Sequence, residues 1–391
     1  MVLAPGNCWH FRACIVSISA SKTNQNPKHN SLTMNLTGNR IILSLLAGLA
    51  LLAGACKENT SANPEVNFDK TAMLTQYADS LIIPSYAGMV QQLQLLEPAI
   101  DTFLTNPTTA NQQALKPVFT AAYLQFERIS VYQFGPAENV LLNNFLNMFP
   151  ANTVAIENNI GSGNYSLTGN LSVDQQGFPA LDYLLFSADA VQQFNEPNAA
   201  NRKQYVKNVL ARMRTLTTTV YTNWRTTYRT EFISNTRADV GSPLGFLINQ
   251  FAFEMDQLKG PRIGWPFGKQ SGGLVFADKS EGYYSGISKA LAIENLTSLK
   301  RAYTAGSSGI GISDYLIALN KASLNTEVLH QFGVTLAKLN AIPDPLSAAF
   351  TSHPGLVDAA YGEIQLLLTL LKTDVASATG VRITYQDSDG D

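Results

Sequence analysis

The stretch GFPALDYLLF (177–186) sets Pro179 and Asp182 three residues apart, and so on one face of a helix. Two metal ligands or an acid/base couple would be expected at that spacing. Only Asp182 supplies a donor, because proline has no ligand atom and no backbone N–H. The same ten residues also read as a helix start. Pro179 then occupies the first turn, where its missing N–H costs little. Asp182 sits within that turn, favoured by the helix dipole, while Leu181, Leu184 and Leu185 face a core. A second candidate is Glu127–Arg128 in AAYLQFERISVYQFGPAE (121–138), an aromatic-rich helical run ended by Gly135-Pro136. The pair reads either as the wall of a cleft or as solvated charges on an outer face. A third is the Gly- and Pro-dense segment 259–278, carrying Arg262, Lys269 and the turn Ser271-Gly272-Gly273. Its backbone N–H groups could face an anion, or the segment could be a structural loop over the core. It does not match the phosphate-cradling pattern GxxxxGK[ST].

Other chemistries find little support. There is no G-x-S-x-G elbow for a serine nucleophile. His330, in VLHQFG, reads as a packed or capping residue, and His353 precedes Pro354 at a helix start; neither has an acid three or four residues on. A histidine-based metal site would have to be assembled from these two distant residues. The end YQDSDGD (385–391) has Asp387 and Asp389 spaced as in a calcium loop, but no glutamate where the twelfth position would fall, and reads as an acidic tail.

The first residues point to export. From Met34 a single cation, Arg40, precedes an apolar run from Ile41, then Ala53, Gly54, Ala55 and Cys56. This is the plan of a secretory signal, too short and wrongly flanked for a spanning helix. The cysteine after small residues resembles a lipobox, with Ala53 where leucine is commoner. Cleavage before Cys56 and acylation of its thiol are therefore expected. Residues 1–33 read as an extension ahead of the true start, 34–55 as the signal peptide and 56–67 as a tether. Processing would remove Cys8, Cys14, His10 and His29, leaving no disulfide framework. It would also remove Arg12, Lys22, Lys28 and Arg40 from the 27 basic residues, leaving 23 against 29 acidic and a net charge of −6. No basic run remains to meet phosphates, so nucleic acid is excluded as a partner.

The elements that must position these groups are helices. Apolar residues recur at steps of three and four in 86–104, 205–224 and 356–375, and further helical patterns fit 110–131, 136–148, 243–258, 283–304 and 325–340. Period-two alternation is nearly absent. The fold class is all-α, built from packed helices. Irregular chain is expected over 158–180 and 259–278. Because each interruption falls mid-way through its half, a duplication into about 68–232 and 240–385 is conceivable, with 386–391 as the tail.

Four stretches carry a family resemblance: FERISVYQFGP (126–136), GFPALDYLLF (177–186), PRIGWPFGKQSGG…SEGYYSGIS (261–288) and LLLTLLKTDVASATGVRITYQDSDGD (366–391). Together they resemble imelysin-like proteins over roughly 66–391. The resemblance implies two helical-bundle halves facing a shared cleft, export to the bacterial envelope and a link to iron uptake; the family is also classed with metallopeptidases. Its motif is G-x-H-x-x-E, with His and Glu as the supposed metal ligands. Gly177 matches, but Pro179 stands at the histidine position and Asp182 at the glutamate position. The expectation is a lipid-anchored envelope protein, on the periplasmic or surface face of the outer membrane, that binds a ligand or partner without catalysis. Iron-uptake components are candidate partners. Glu127, Arg128, Pro179, Asp182, Arg262, Lys269 and Ser285 are expected to line the cleft, a set suited to a polar or anionic ligand. Iron or another divalent cation would have only Glu127 and Asp182 to hold it. The alternative is a metal-dependent peptidase working through those carboxylates.

Overall fold

The computed structural model describes residues 67–197 and 199–385, all within one unit spanning Glu65–Asp391. The expected extension, signal peptide, Cys56 and acidic tail lie outside the described residues. Among those described, every regular element is a helix and there is no strand.

The first group of helices is α1 (Lys70–Gln76), α2 (Ile83–Thr105), α3 (Thr109–Ser130), α4 (Pro136–Asn139), α5 (Leu142–Asn147), α6 (Thr153–Ser162), α7 (Gly177–Phe186), α8 (Ala190–Gln193), α9 (Ala199–Asn223) and α10 (Arg229–Ser234). The second is α11 (Pro243–Gln257), α12 (Trp265–Phe267), α13 (Ser288–Tyr303), α14 (Ile312–Ala318), α15 (Ala322–Ala341), α16 (Leu346–Ser352), α17 (Pro354–Thr369) and α18 (Ala376–Thr379). Within the first group α2 packs on α3 and α9. Within the second, α13 and α17 flank α15, and α11 lies against α13 and α17. Helix α13 also packs on α3, so the interior between them belongs to both groups.

Local signals set the boundaries. Side-chain oxygens of Asp69, Thr108, Asn152 and Ser242 accept the N–H of Ala72, Asn111, Ala155 and Gly245, capping α1, α3, α6 and α11. Proline opens α11 and α17, where its lost donor is of no consequence. The apolar stripes read from the sequence form the core. Tyr86, Met89, Leu93, Leu96, Ile100 and Phe103 of α2 are buried, as are Val357, Ala360, Ile364 and Leu367 of α17. Each such large side chain contributes about 1.5–3 kcal/mol on leaving water.

Four π-helical turns, Tyr77–Ile82, Trp224–Tyr228, Leu258–Gly264 and Leu370–Val375, widen the helices that contain them. The third falls in the segment expected to be irregular, so only 268–276 of 259–278 is non-helical. Likewise α6 runs to Ser162 and a 3-10 turn covers Asn170–Gln175, which shortens the irregular part of 158–180. The helix expected over 283–304 begins only at Ser288, because Gly282 and Gly286 adopt φ of +61° and +70°. The one expected over 136–148 breaks at Leu141, held at φ +50°.

Candidate functional site

The interior face shared by α3, α11 and α13 carries a cluster of buried charge. Glu127 lies on the α3 face that also presents Tyr123 and Ser130, four residues before and three after it. On α11, Gln250 and Glu254 stand one turn apart, and Gln250 Nε2 donates to Glu254 Oε1 at 3.1 Å. Eight residues of regular helix would leave Arg262 about 80° round from Glu254. The wider π turn Leu258–Gly264 swings it back onto the same side. Arg262 then meets three carboxylates: Nη2 is 2.9 Å from Glu127 Oε2, Nε 2.8 Å from Glu281 Oε2 and Nη1 3.4 Å from Glu254 Oε2. All four residues are buried. Asn295, on the inner face of α13, donates through Nδ2 to Glu254 Oε2 at 2.7 Å and Glu127 Oε2 at 3.0 Å. Ser130 Oγ donates to Glu254 Oε2 at 3.1 Å. Asn147 donates to Glu281 Oε1 at 2.5 Å and accepts from the Tyr123 hydroxyl at 2.6 Å.

Three carboxylates around one guanidinium cannot all be ionised cheaply out of water. Burial pushes the Glu127 carboxyl well above the usual range; Arg262 opposes this, and the neighbouring Glu281 and Glu254 reinforce it. Among the described residues Glu127 Oε1 has no hydrogen-bond partner. Burial alone would lower the Arg262 value; the charges of Glu127, Glu281 and Glu254 more than reverse this and keep it cationic.

Glu281 lies near the start of the turn-rich stretch 280–287, which is also held by α7. Asp182 Oδ2 accepts the Tyr284 N–H at 2.9 Å and Oδ1 the Ser285 N–H at 3.0 Å. Burial raises the Asp182 carboxyl to about 6, against the opposing hydrogen bonds from Ser285 and Tyr284. Asp182 is the sixth residue of α7, so it lies in the second turn. The dipole at the helix start is therefore not what holds it. Pro179 does lie in the first turn. Phe178 anchors the helix by stacking on Tyr123, centroids 4.5 Å apart and 12° between planes. Pro179, Asp182, Lys279, Ser280, Tyr283 and Tyr284 are among the residues around a cavity of about 100 Å³. The buried Ser280 Oγ has no partner among the described residues.

The candidate residues thus fall into distinct places. Glu127 and Arg262 meet in the charge cluster; Pro179, Asp182 and Ser285 gather at the neighbouring turn. Arg128 does not join them. Successive helical residues diverge by about 100°, and Arg128 turns outward to Glu294, 2.6 Å away. Lys269 pairs with Asp358 and lies over the rings of Phe267 and Tyr361. His330 is exposed on α15 rather than packed. His353 is the N-cap of α17, with Nδ1 2.9 Å from Ser352 Oγ. Glu254, Glu281 and Asn295 were not anticipated. Their signal was a polar residue at an apolar-periodic position: Asn295 follows Leu291 by one turn and immediately precedes Leu296.

The residues present do not suit the metal that the motif implies. Pro179 offers no ligand, both Asp182 oxygens already accept backbone N–H groups, and Glu127 is committed to Arg262 and Asn295. No group of three or more His, Cys, Asp or Glu among the described residues is arranged to hold a metal ion.

Fold and site together define a class: an all-α protein whose inner face is organised by an arginine held among carboxylates. The chain belongs to the imelysin family, whose model (peptidase M75) matches residues 82–371. This is the family expected from the four sequence stretches. A relative, Iron-regulated protein A of Synechococcus elongatus (strain ATCC 33912 / PCC 7942 / FACHB-805), is 22% identical over 325 residues, covering 80% of this chain and 85% of that one. A crystal structure assigned as an iron-regulated protein A precursor from Parabacteroides distasonis ATCC 8503 superposes with a TM-score of 0.68 at 19% identity, over 83% of this chain and 97% of the other. An imelysin-like protein from Psychrobacter arcticum 273-4 gives 0.63 at 19% identity, over 81% and 97%. At these identities the two structures establish the fold.

Proposed function

We propose that this chain is an envelope-anchored, non-catalytic member of the imelysin family that binds a small polar ligand or a partner's side chain at the Pro179–Asp182 cavity, in the service of iron uptake. The observation that carries this reading is the state of the motif. Its histidine position is Pro179, and the carboxylate at its glutamate position spends both oxygens on the Tyr284 and Ser285 amides. What remains is a pocket with a Ser280 hydroxyl that has no partner among the described residues. Its volume holds only a few water-sized groups. The anchor is supported by the signal-like run 34–55 ahead of Cys56, and the iron connection by the name of the Synechococcus relative.

Calorimetric titration of the purified chain with ferrous iron and zinc tests the non-metal reading. Weak or no heat is expected. Stoichiometric, tight binding abolished by Asp182→Ala would overturn it. Chelator-sensitive cleavage of a peptide library, lost in Glu127→Gln, would establish the carboxylate-metal peptidase instead. A deletion strain is expected to grow poorly under iron limitation, and normal growth would remove the iron role.

A further inference from the structure

A second site lies on the far side of Ser130 and Gln250 from the Arg262 cluster, and it does not depend on the reading of the Pro179–Asp182 cavity. Two cavities, of about 290 and 450 Å³, share Glu138 and Phe246 in their walls and so adjoin one another. Helix α4 runs along both, and the break that follows it lines the smaller. Leu141, at that break, is a non-glycine residue in the left-handed region and is 39% exposed in the wall of the smaller cavity. A bulky side chain held in that conformation marks a position that the surroundings over-determine, as happens where a ligand is gripped.

The lining has a consistent chemistry. Among the described residues neither cavity has a Lys, Arg or His in its wall, while Glu138 and Glu231 are acids, so these walls offer an anionic ligand no cation. The side-chain amides of Asn139, Asn143, Asn144 and Asn223 make no hydrogen bond within the described chain and stand open to an occupant. Deeper in, Gln133 donates to Ile129 O at 3.1 Å, but its Oε1 is buried without a partner. Gln250, by contrast, is committed to the floor, donating to Ser130 O at 2.9 Å. Between the amides stand aromatic rings, each packed in part on another ring. Phe246 stacks on Phe134 with centroids 5.5 Å apart, Phe253 meets Tyr385 edge-on at 5.7 Å, and Tyr228 lines the larger chamber.

Planar amides that donate and accept side by side match vicinal hydroxyl groups, and aromatic faces match the C–H face of a pyranose ring. Two chambers in series match more than one ring. From this we infer that the paired cavities form a binding groove for a neutral oligosaccharide, with Asn143 and Asn144 reading hydroxyls and Phe253 supporting a ring.

Saturation-transfer NMR and calorimetry on the full chain, with maltotriose, cellotriose, xylotriose and chitotriose as probes, test this. At least one trisaccharide should bind with Kd in the range of about 0.1–1 mM, and more tightly than its monosaccharide, which fills one chamber only. Asn143→Ala and Phe253→Ala should each weaken it at least about tenfold, or about 1.4 kcal/mol. Asn143 is half-exposed and unbonded, so that variant keeps its melting temperature and answers even if the Phe253 variant does not fold. The inference fails if no probe binds at about 10 mM, if binding is indifferent to Asn143→Ala, or if a trilysine peptide binds more tightly than every trisaccharide.

Discussion

The Arg262 cluster and the Asn-lined groove stand back to back across Gln250, and they treat polar groups in opposite ways. In the cluster most donors and acceptors are used inside the protein, Glu127 Oε1 and Asn295 Oδ1 excepted, and Arg262 is the cation that its three carboxylates would otherwise seek from solution. In the groove, ordinary amides are left uncommitted beside aromatic rings. The residue types that look reactive on paper are bonded to one another, and those that look inert are the ones left without a bond among the described residues. Chemical availability depends on what a group is already bonded to, not on its type.

The strongest way to break this contrast is to remove the internal cation. Arg262→Met strands two or three buried carboxyl groups and should cost about 3–5 kcal/mol in urea unfolding. Adding Glu281→Gln should recover part of it; an unaltered midpoint would show the cluster to be solvated. A smaller effect follows from Asp182. Its folded value of about 6 lies above the ordinary aspartate value. The neutral form therefore favours folding, and its contribution is fully present below about pH 4 and lost as pH rises through about 6. Wild-type stability should fall across that window by up to about 3 kcal/mol more than that of Asp182→Asn, which lacks the titration. Parallel pH profiles would refute the assignment. Arg128→Ala, removing a half-exposed ion pair with Glu294, should cost less than about 1 kcal/mol and lose even that in high salt. At the other pole, Asn143→Ala should leave the melting curve within about 0.5 kcal/mol of wild type, while changing only what the groove binds.

How far the sequence foretold these regions depended on range. Helix positions followed from local periodicity: 86–104 became part of α2, and 356–375 became α17 with its π turn. The family was legible from short stretches. The cluster was only half visible, because Glu127 and Arg262 are 135 positions apart and nothing local says that a π turn will aim one at the other. Asp182 stood out by spacing, but its partners are backbone amides more than a hundred residues away. The groove was invisible. Asn and Gln are common throughout this chain, and only tertiary packing decides which of them find a bond.

Gly177 carries a consequence of its own. It opens α7 at φ +77°, and a Cβ there would lie 2.3 Å from Leu146 O and 2.7 Å from Phe145 O. No other residue fits, whatever happens two positions later. The first letter of the motif is thus held by steric necessity, whereas the sixth, Asp182, is tied to the Tyr284 and Ser285 amides. The glycine is therefore a demand of the backbone, set by how closely α7 is laid against the end of α5, and it holds whichever side chains stand two and five positions later.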